Sequence, residues 1–545
     1  MSLDKLSILF ADNLHFHDRN FKSLFDFFNK NKIKYDFVNI DKSWLSLYGN
    51  YFSKKSNLGI YCDLLQKMDA KDLYEFSIDG HNVFHIARSE LLSYLIPKEE
   101  WVDSSIVYDY ELFVEILKKN KEPLLLNMAA VCYWFDFWKS YLDAHKVYSY
   151  CCIFSGALIY SKVLLKCLET RVTNPLLFES SFTGLDYYCE FQYNVIPNNS
   201  VIGYKNYYSN IKLDYDDYFL YKKDEHKAIN KIRLMNNKNV VQPLESTCDD
   251  IKFENSNKNV TILGQVINDF SILESDLNEY NSLLTYKKMI REILDKTNFN
   301  IIFKAHPWEL NKINIYKSLT KDSLSDFINL FNEDDKKRIK IIEDYNIKKL
   351  FSNSSHVITL CSQAGLEAAY YGLKPIQIGK AFYGEKGFTF DVNDLDIVTD
   401  ILNNQVGFLS LNEFNSYTEF LVKFLLKHLV SVNPSGYINL REIFSPMDRV
   451  NLINKVNNDK PKLIAEVKNK VKVSDVDKKP NVVSEMKVSK KDQIETKMIN
   501  DDGSSLVRVE KKISKLIYNP ERFFGDSKYQ AFRKIGHLYK AIKQK

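Results

Sequence analysis

The sequence predicts an α/β protein of two Rossmann-like domains facing each other across a cleft, followed by a disordered linker and a basic C-terminal helical tail. Three observations predict it. Apolar strand-like runs alternate with helical patterns in two separate blocks. A polar zone, about 198–256 and rich in Asn, Asp, Lys and Tyr, parts the blocks. The length, 545 residues, exceeds what one hydrophobic core organises. Alternation of this kind implies parallel sheets covered on both faces. The expected divisions are 1–245, 257–430, a closing helix over 431–450, a flexible linker over 451–508 and a basic amphipathic tail over 509–545.

The first block opens with the strand LSILFA, the helix NFKSLFDFFNKN and the strand KYDFVNI. NVFHIA (82–87) followed by SELLSYLI repeats the strand–helix pattern, as do VYSYCCIF (147–154), ALIYSKVLLKCLETR and PLLFES (175–180). The second block begins at NVTILGQV (259–266). It continues through a helix (YNSLLTYKKMIREILDKT), NIIFKA, IKIIED (339–344), NIKKLFSNS, HVITL (356–360), AGLEAAYYG and KPIQIG (374–379). Gly372 stops the last helix and Pro375 prevents its continuation.

Composition narrows the function classes. A hydrophobic content of 45% and a charged content of 27% are ordinary for a globular protein, and a net charge of +5 at this length predicts no polyanion partner. Abundant Tyr, Phe, Asn and Lys read as codon bias. The eight cysteines form no C-x-x-C pair, and most sit in apolar runs, which suits buried thiols in a reducing compartment. The N-terminus does not read as a signal peptide. PLLLNMAAVCYWFDFW (123–138) is too short for a membrane span and carries Asn127 and Asp136. A cytoplasmic protein without a transmembrane helix is expected.

Residues 451–517 contain no Phe, Trp, Tyr or Cys, a linker that cannot bury enough apolar surface to order itself. In 509–545 basic residues outnumber acidic ones, and Phe532, Ile535, Tyr539 and Ile542 recur at helical spacing. That pattern describes a basic helix lying on an anionic membrane, or equally a surface helix docked on its own domain.

Ligands of open α/β sheets bind beyond the C-terminal ends of strands, so residues that follow strands are the candidates. His306 ends a strand and Pro307 fixes the exit direction. Its imidazole can bind a phosphate or protonate a leaving group, or it can simply cap the strand. Cys361, Ser362 and Gln363 form a polar turn, and a helix starts near Ala364–Gly365, where free amides suit an anion. Glu367 lies in the first turn, favourable to the dipole and able to reach ribose hydroxyls. In the first block Glu179 ends a strand and Asp186 lies seven residues on; either acid can be a general base, a partner for a developing cation, or a solvated loop residue. No G-x-G-x-x-G follows a strand, and Walker A and H-E-x-x-H patterns are missing. Asp214-Tyr215-Asp216 spells D-x-D in an acidic loop, and no metal site is expected from it.

SQAGLEAAYYGLKPIQIGKAFYGEKGFT (362–389) resembles the signature of the bacterial capsule polysaccharide biosynthesis family, in which Ser-x-x-Gly-x-Glu-Ala precedes Gly-x-x-Pro and Phe-Tyr-x-x-x-Gly. GQVINDFSI (264–272) resembles its Gln-x-x-x-Asp segment, FKAHPWE its Lys-x-His-Pro, and LLFESSF the strand delivering its acid. KLIYNPERFFGDSK (515–528) is similar to a C-terminal segment of many members. The similarity covers roughly 150–400 and the tail. It implies a GT-B fold of the Kdo-transferase type, with an acceptor-side first domain and a nucleotide-binding second domain. The implied donor is CMP-activated Kdo, a substrate and not a cofactor. The implied acceptor is a phosphatidylglycerol-type lipid at the cytoplasmic face of the inner membrane. By position, His306 and Ser362 hold the cytidylate phosphate, Glu367 the ribose, and Glu179 is the catalytic acid, with Gln265 and Asp269 lining the nucleotide side. One departure is that Ser180 and Ser181 follow Glu179 where the family usually has glycine.

The expected function is therefore a metal-independent glycosyltransferase of capsule or surface-polysaccharide assembly, peripheral on the membrane through 509–545. Lipid or oligosaccharide acceptors and other capsule assembly proteins are its expected partners, and nucleic acid is not. One alternative is a transferase that uses another sugar nucleotide to extend the polymer. The other is a non-catalytic assembly or scaffold protein.

Overall fold

The computed structural model describes residues 3–444 apart from 103, 105–109, 197–198, 214, 235–242 and 275–280. The linker and tail expectations, the Asp214 position of D-x-D and the end of the expected closing helix lie outside the described residues.

Chain order gives β1 (Ser7–Phe10), β2 (Lys34–Phe37), a small hairpin of β3 (Ser77–Ile78) and β4 (His81–Asn82), β5 (Tyr150–Phe154), β6 (Asn174–Ser180) and β7 (Asp186–Glu190). The second block holds β8 (Asn259–Leu263), β9 (Asn300–Lys304), β10 (Ile339–Ile342), β11 (His356–Thr359), β12 (Pro375–Gln377) and β13 (Phe390–Asp391); β14 is Val430–Ser431. The two large sheets run β14-β7-β6-β5-β1-β2 and β10-β9-β8-β11-β12-β13. The second is parallel throughout. The first is parallel over β6-β5-β1-β2, with β7 and β14 added antiparallel at its edge. This two-sheet architecture is the pair of Rossmann-like blocks that the alternation predicts, and it agrees with the GT-B-like fold that the resemblance implies.

The central strands are apolar because both faces are covered. Tyr150, Cys151, Cys152 and Ile153 of β5 are all buried. Beneath the first sheet the helix Asp18–Lys30 buries Phe21, Leu24, Phe25, Phe27 and Phe28, one face at helical spacing. Phe10 of β1 stacks on Phe37 at 4.7 Å and meets Phe25 at 5.4 Å. All eight cysteines are free thiols, and seven are buried.

Four expectations change. NVFHIA (82–87) is not a strand: Val83–Leu95 is one helix, and the Asn82 side chain accepts from the His85 N–H at 2.8 Å to cap it. No turn signal separates its apolar run from the helical pattern that follows, so the run continues as helix. The segment around Asp186 is the strand β7, a run (DYYCE) buried at every position. The polar zone contains a 16-residue helix, Tyr218–Arg233. The expected closing helix over 431–450 begins instead with a strand residue: β14 joins the first sheet and a short helix, Tyr437–Ile443, follows. The chain thus returns from the second block to the first through Leu411–Val422 and the π-helical turn Lys423–His428.

Residues 123–138 lie in the helix Lys121–Ala144, packed among the helices of the first block. Its buried Asn127 donates to the carbonyls of Gly49 (2.8 Å) and Pro123 (2.9 Å), so its polarity serves the fold. Among the described residues no helix is long and apolar enough to cross a membrane.

Polar contacts tie the two sheet blocks together. Lys162 donates to Ser89 at 2.7 Å, and both bond Glu274 of the second block. Asn268 donates to the Ser93 carbonyl at 3.0 Å, and Asn314 to that of Tyr48 at 3.1 Å. The loop that leaves His306 therefore faces the first block.

Candidate active site

Each sheet has one place where the chain reverses its direction of travel. In the first sheet β1 leads to β2 on one side and to β5 on the other. In the second, β8 leads to β9 and β10 on one side and to β11 and β12 on the other. Ligands of open α/β sheets bind beyond the strand ends at such switch points.

The second lip holds the residues singled out by sequence. Gln265 lies two residues past β8. Its Nε2 donates to Ser271 Oγ at 2.8 Å, and its Oε1 accepts from the Cys361 N–H at 3.2 Å, so it pins the β8 lip to the β11 lip. Asp269 caps the helix Phe270–Leu273, accepting from the Ser271 N–H at 3.0 Å. His306 follows β9, the other neighbour of β8. The Trp308 N–H donates to its Nδ1 at 3.1 Å, which leaves the proton on Nε2. Burial pushes the imidazole down to about 4, opposed by Asp269 and aided by Lys304 and Lys312. The free site thus presents a neutral N–H donor, and a bound phosphate would favour its protonation. Lys304, the lysine of Lys-x-His-Pro, turns away to the carbonyls of Ala305 and Glu343, and burial pushes it down to about 8.

The turn after β11 departs from the free-amide expectation. Ser362 Oγ accepts from the Ala364 N–H (3.3 Å), the Gly365 N–H donates to the Ser362 carbonyl (3.1 Å), and the Leu366 N–H to that of Gln363 (3.0 Å). The helix Ala364–Tyr370 spans seven residues and opens tightly, so it satisfies its own first amides. Among the described residues the Ser362 hydroxyl proton and the Gln363 N–H have no acceptor, which leaves them for a ligand. Gly365 has a packing reason: a Cβ there would meet the Tyr383 hydroxyl at 2.3 Å, and that hydroxyl donates to the Ser362 carbonyl at 2.6 Å. Glu367 is half-buried, and burial alone pushes its carboxyl up to about 8. No hydrogen bond or ion pair reaches it among the described residues.

The first lip holds Glu179 at the end of β6. It is half-buried and its Oε1 accepts from the Ser180 N–H at 3.1 Å. Burial pushes its carboxyl up to about 7, against the Ser180 amide, the Ser155 hydroxyl, His15 and Lys312. A carboxyl titrating there can both accept and return a proton. Asp186 differs. It is buried in β7, 2.6 Å from Lys231 Nζ, and accepts from Thr183 Oγ1 at 2.7 Å. Rather than a loop residue, it is a strand residue held in an ion pair on β7, one strand in from the edge strand β14.

Four residues escaped sequence reasoning. Lys312 is half-buried on the loop after His306, and its charge acts on both His306 and Glu179. Asp12 and His15 follow β1, and Ser155 follows β5 with φ at +58°. The post-strand rule would have found Asp12, since it directly follows LSILFA; Lys312 lies in an irregular loop without a pattern. Among the described residues no three His, Cys, Asp or Glu side chains gather as a metal-binding group.

Residues 198–401 match the family model described as capsule polysaccharide biosynthesis protein. That span contains the whole second lip; Glu179, the first lip and the C-terminal segment lie outside it. No curated protein matches the chain. A solved structure titled Thermosulfurimonas dismutans KpsC, beta Kdo 2,4 transferase, is 16% identical, over 55% of this chain and 87% of that one, with a TM-score of 0.37. A second from that organism, the beta Kdo 2,7 transferase, is 14% identical over 56% and 88%, with a TM-score of 0.35. The α,α-trehalose 6-phosphate synthase of Burkholderia multivorans is 11% identical over 86% and 99%, with a TM-score of 0.30. Residues 198–401, which hold the second lip, are thus similar to capsule polysaccharide biosynthesis proteins.

Proposed function

We propose that the protein is a glycosyltransferase of capsule or surface-polysaccharide assembly that uses a CMP-activated sugar, CMP-Kdo, as donor. The observation that carries the reading is geometric: Gln265, His306 and Ser362 follow the neighbouring strands β8, β9 and β11, and Gln265 ties the β8 lip to the β11 lip through the Cys361 N–H at 3.2 Å. In this reading the cytidylate phosphate meets His306 Nε2–H, the Ser362 hydroxyl and Lys312. Glu367 faces the ribose with Gln265 and Asp269 behind it, and Glu179 faces the anomeric carbon. The acceptor oxygen bonds to that carbon and loses its proton, while the anomeric carbon–oxygen bond breaks and its electron pair leaves on the CMP phosphate. Protein donors and a lysine then neutralise the leaving phosphate, and the enzyme needs neither metal nor cofactor.

The acceptor in this proposal is a phosphatidylglycerol-type lipid, reached from the cytoplasmic face with the basic segment 509–545 on the anionic surface. Basic residues near such a surface supply about 1 kcal/mol each, so a few suffice for reversible binding. Thermal unfolding with CMP, UMP, UDP and GDP tests the donor, because only ligands of the native state stabilise it. CMP should raise the midpoint most. A larger shift with UDP or GDP would move the protein to another sugar nucleotide, and no shift with any would favour the scaffold reading.

A further inference from the structure

The first lip carries a second proton-handling group beside Glu179. Asp12 is fully buried directly beyond β1. Its Oδ1 accepts from the backbone N–H groups of Leu14 (2.9 Å) and His15 (2.8 Å) and lies 3.1 Å from His15 Nδ1. Its Oδ2 accepts from the Tyr160 hydroxyl at 2.8 Å. Burial pushes this carboxyl up, but the His15 and Tyr160 contacts outweigh it and hold it below the usual range. An ionised Asp12 keeps the proton of His15 on Nδ1 and leaves Nε2 as an acceptor. The ring plane is fixed as well, stacked on Phe154, the last residue of β5, at 4.8 Å and 6°.

The His15 side chain is 16% exposed, and Nε2 has no partner among the described residues. It stands beyond β1, two strands away from Glu179 of β6 across β5. Between them Ser155 holds a left-handed backbone that a non-glycine residue adopts at a cost, and its hydroxyl is directed to Glu179. His15, Ser155 and Glu179 thus come from three adjacent strand ends around the switch point of the first sheet.

We propose that His15, oriented by Asp12, takes the proton of the acceptor hydroxyl, which frees Glu179 to act as charge partner of the anomeric centre. This rests on the transferase reading above. The O–H bond of the acceptor breaks toward His15 Nε2 as its oxygen bonds to the anomeric carbon, and the electron pair of the broken donor bond leaves with CMP. The imidazolium then returns its proton to solvent.

The test uses the full chain, CMP-Kdo and a phosphatidylglycerol acceptor, with CMP release as readout. His15→Ala should lower kcat by about 10²–10⁴, the usual share of one general base, and leave the CMP-induced thermal shift unchanged. Added imidazole should restore at least about tenfold of it, and Asp12→Asn should lose at least about tenfold. His15→Ala activity within about threefold of wild type, or a loss that imidazole does not repair, overturns the proposal. If the wild type turns over only another sugar nucleotide, the CMP-Kdo reading fails, and His15 is judged with that donor by the same criteria. A chain that turns over no sugar nucleotide overturns both. Nitrogen NMR of labelled histidine, independent of any donor, should show His15 protonated on Nδ1 and bare on Nε2. A proton on Nε2 in the resting enzyme would also overturn it.

Discussion

The two lips solve the same topological problem with opposite chemistry. The second gathers neutral groups, an imidazole held as an N–H donor, a hydroxyl, an amide and a carboxyl pushed up to about 8. The first gathers an ionised Asp12, a histidine with a free acceptor nitrogen and Glu179 near 7. In the proposed reading one lip receives an anion and the other handles a proton and a developing positive charge. Lys312, half-buried on the loop after His306, is a minor electrostatic influence on both His306 and Glu179.

Substitutions at the lips should separate those roles. After His15, the largest effect is expected at His306. His306→Ala should lower turnover by about 10²–10³, the usual loss for one charge-stabilising donor, with a CMP-induced thermal shift reduced as well. Turnover equal to wild type would remove the imidazole from the anion lip. The corresponding measurement on the first lip is pH-dependent stability. Glu179 titrates near 7 in the folded chain against an ordinary value near 4.5. The folded state therefore holds the proton more tightly, and this contribution is full below about pH 4.5 and lost as pH rises through 7. Glu179→Gln should make the protein more stable than wild type at pH 8, by about 1–3 kcal/mol, with the gap closing by pH 4. Urea unfolding at the two pH values reads this, and equal stability at pH 8 would show that the carboxyl is not held in a desolvated lip.

Asp186→Asn should do the reverse. It breaks the ion pair with Lys231, so stability at pH 8 should fall by about 1–3 kcal/mol while the folded protein keeps most of its activity. A large loss of turnover without loss of stability would return Asp186 to the chemistry.

The same contrast explains what could be read in the sequence. The second lip was legible because its residues fall in contiguous segments, GQVINDF, FKAHPWE and SQAGLE, each directly after a strand. The strand–helix alternation also placed every strand of the second block except the two-residue β13. The first lip was legible only at Glu179. His15, Ser155 and Tyr160 come together through sheet order, which alternation alone does not supply: β1 neighbours β5 although a long helical segment separates them in the chain. Asp186 looked exposed because its loop-like surroundings (SSFTG) hid a following strand whose alternate faces are both buried. The amides after β11 looked free because a sequence shows where a helix starts but not how tightly its first turn closes.

A structure with CMP bound tests the central claim most directly. The account predicts the phosphate within hydrogen-bond reach of His306 Nε2 and Ser362 Oγ, the ribose against Glu367, and Lys312 between the phosphate and Glu179. CMP seated elsewhere, or a phosphate that touches neither His306 nor Ser362, would contradict it.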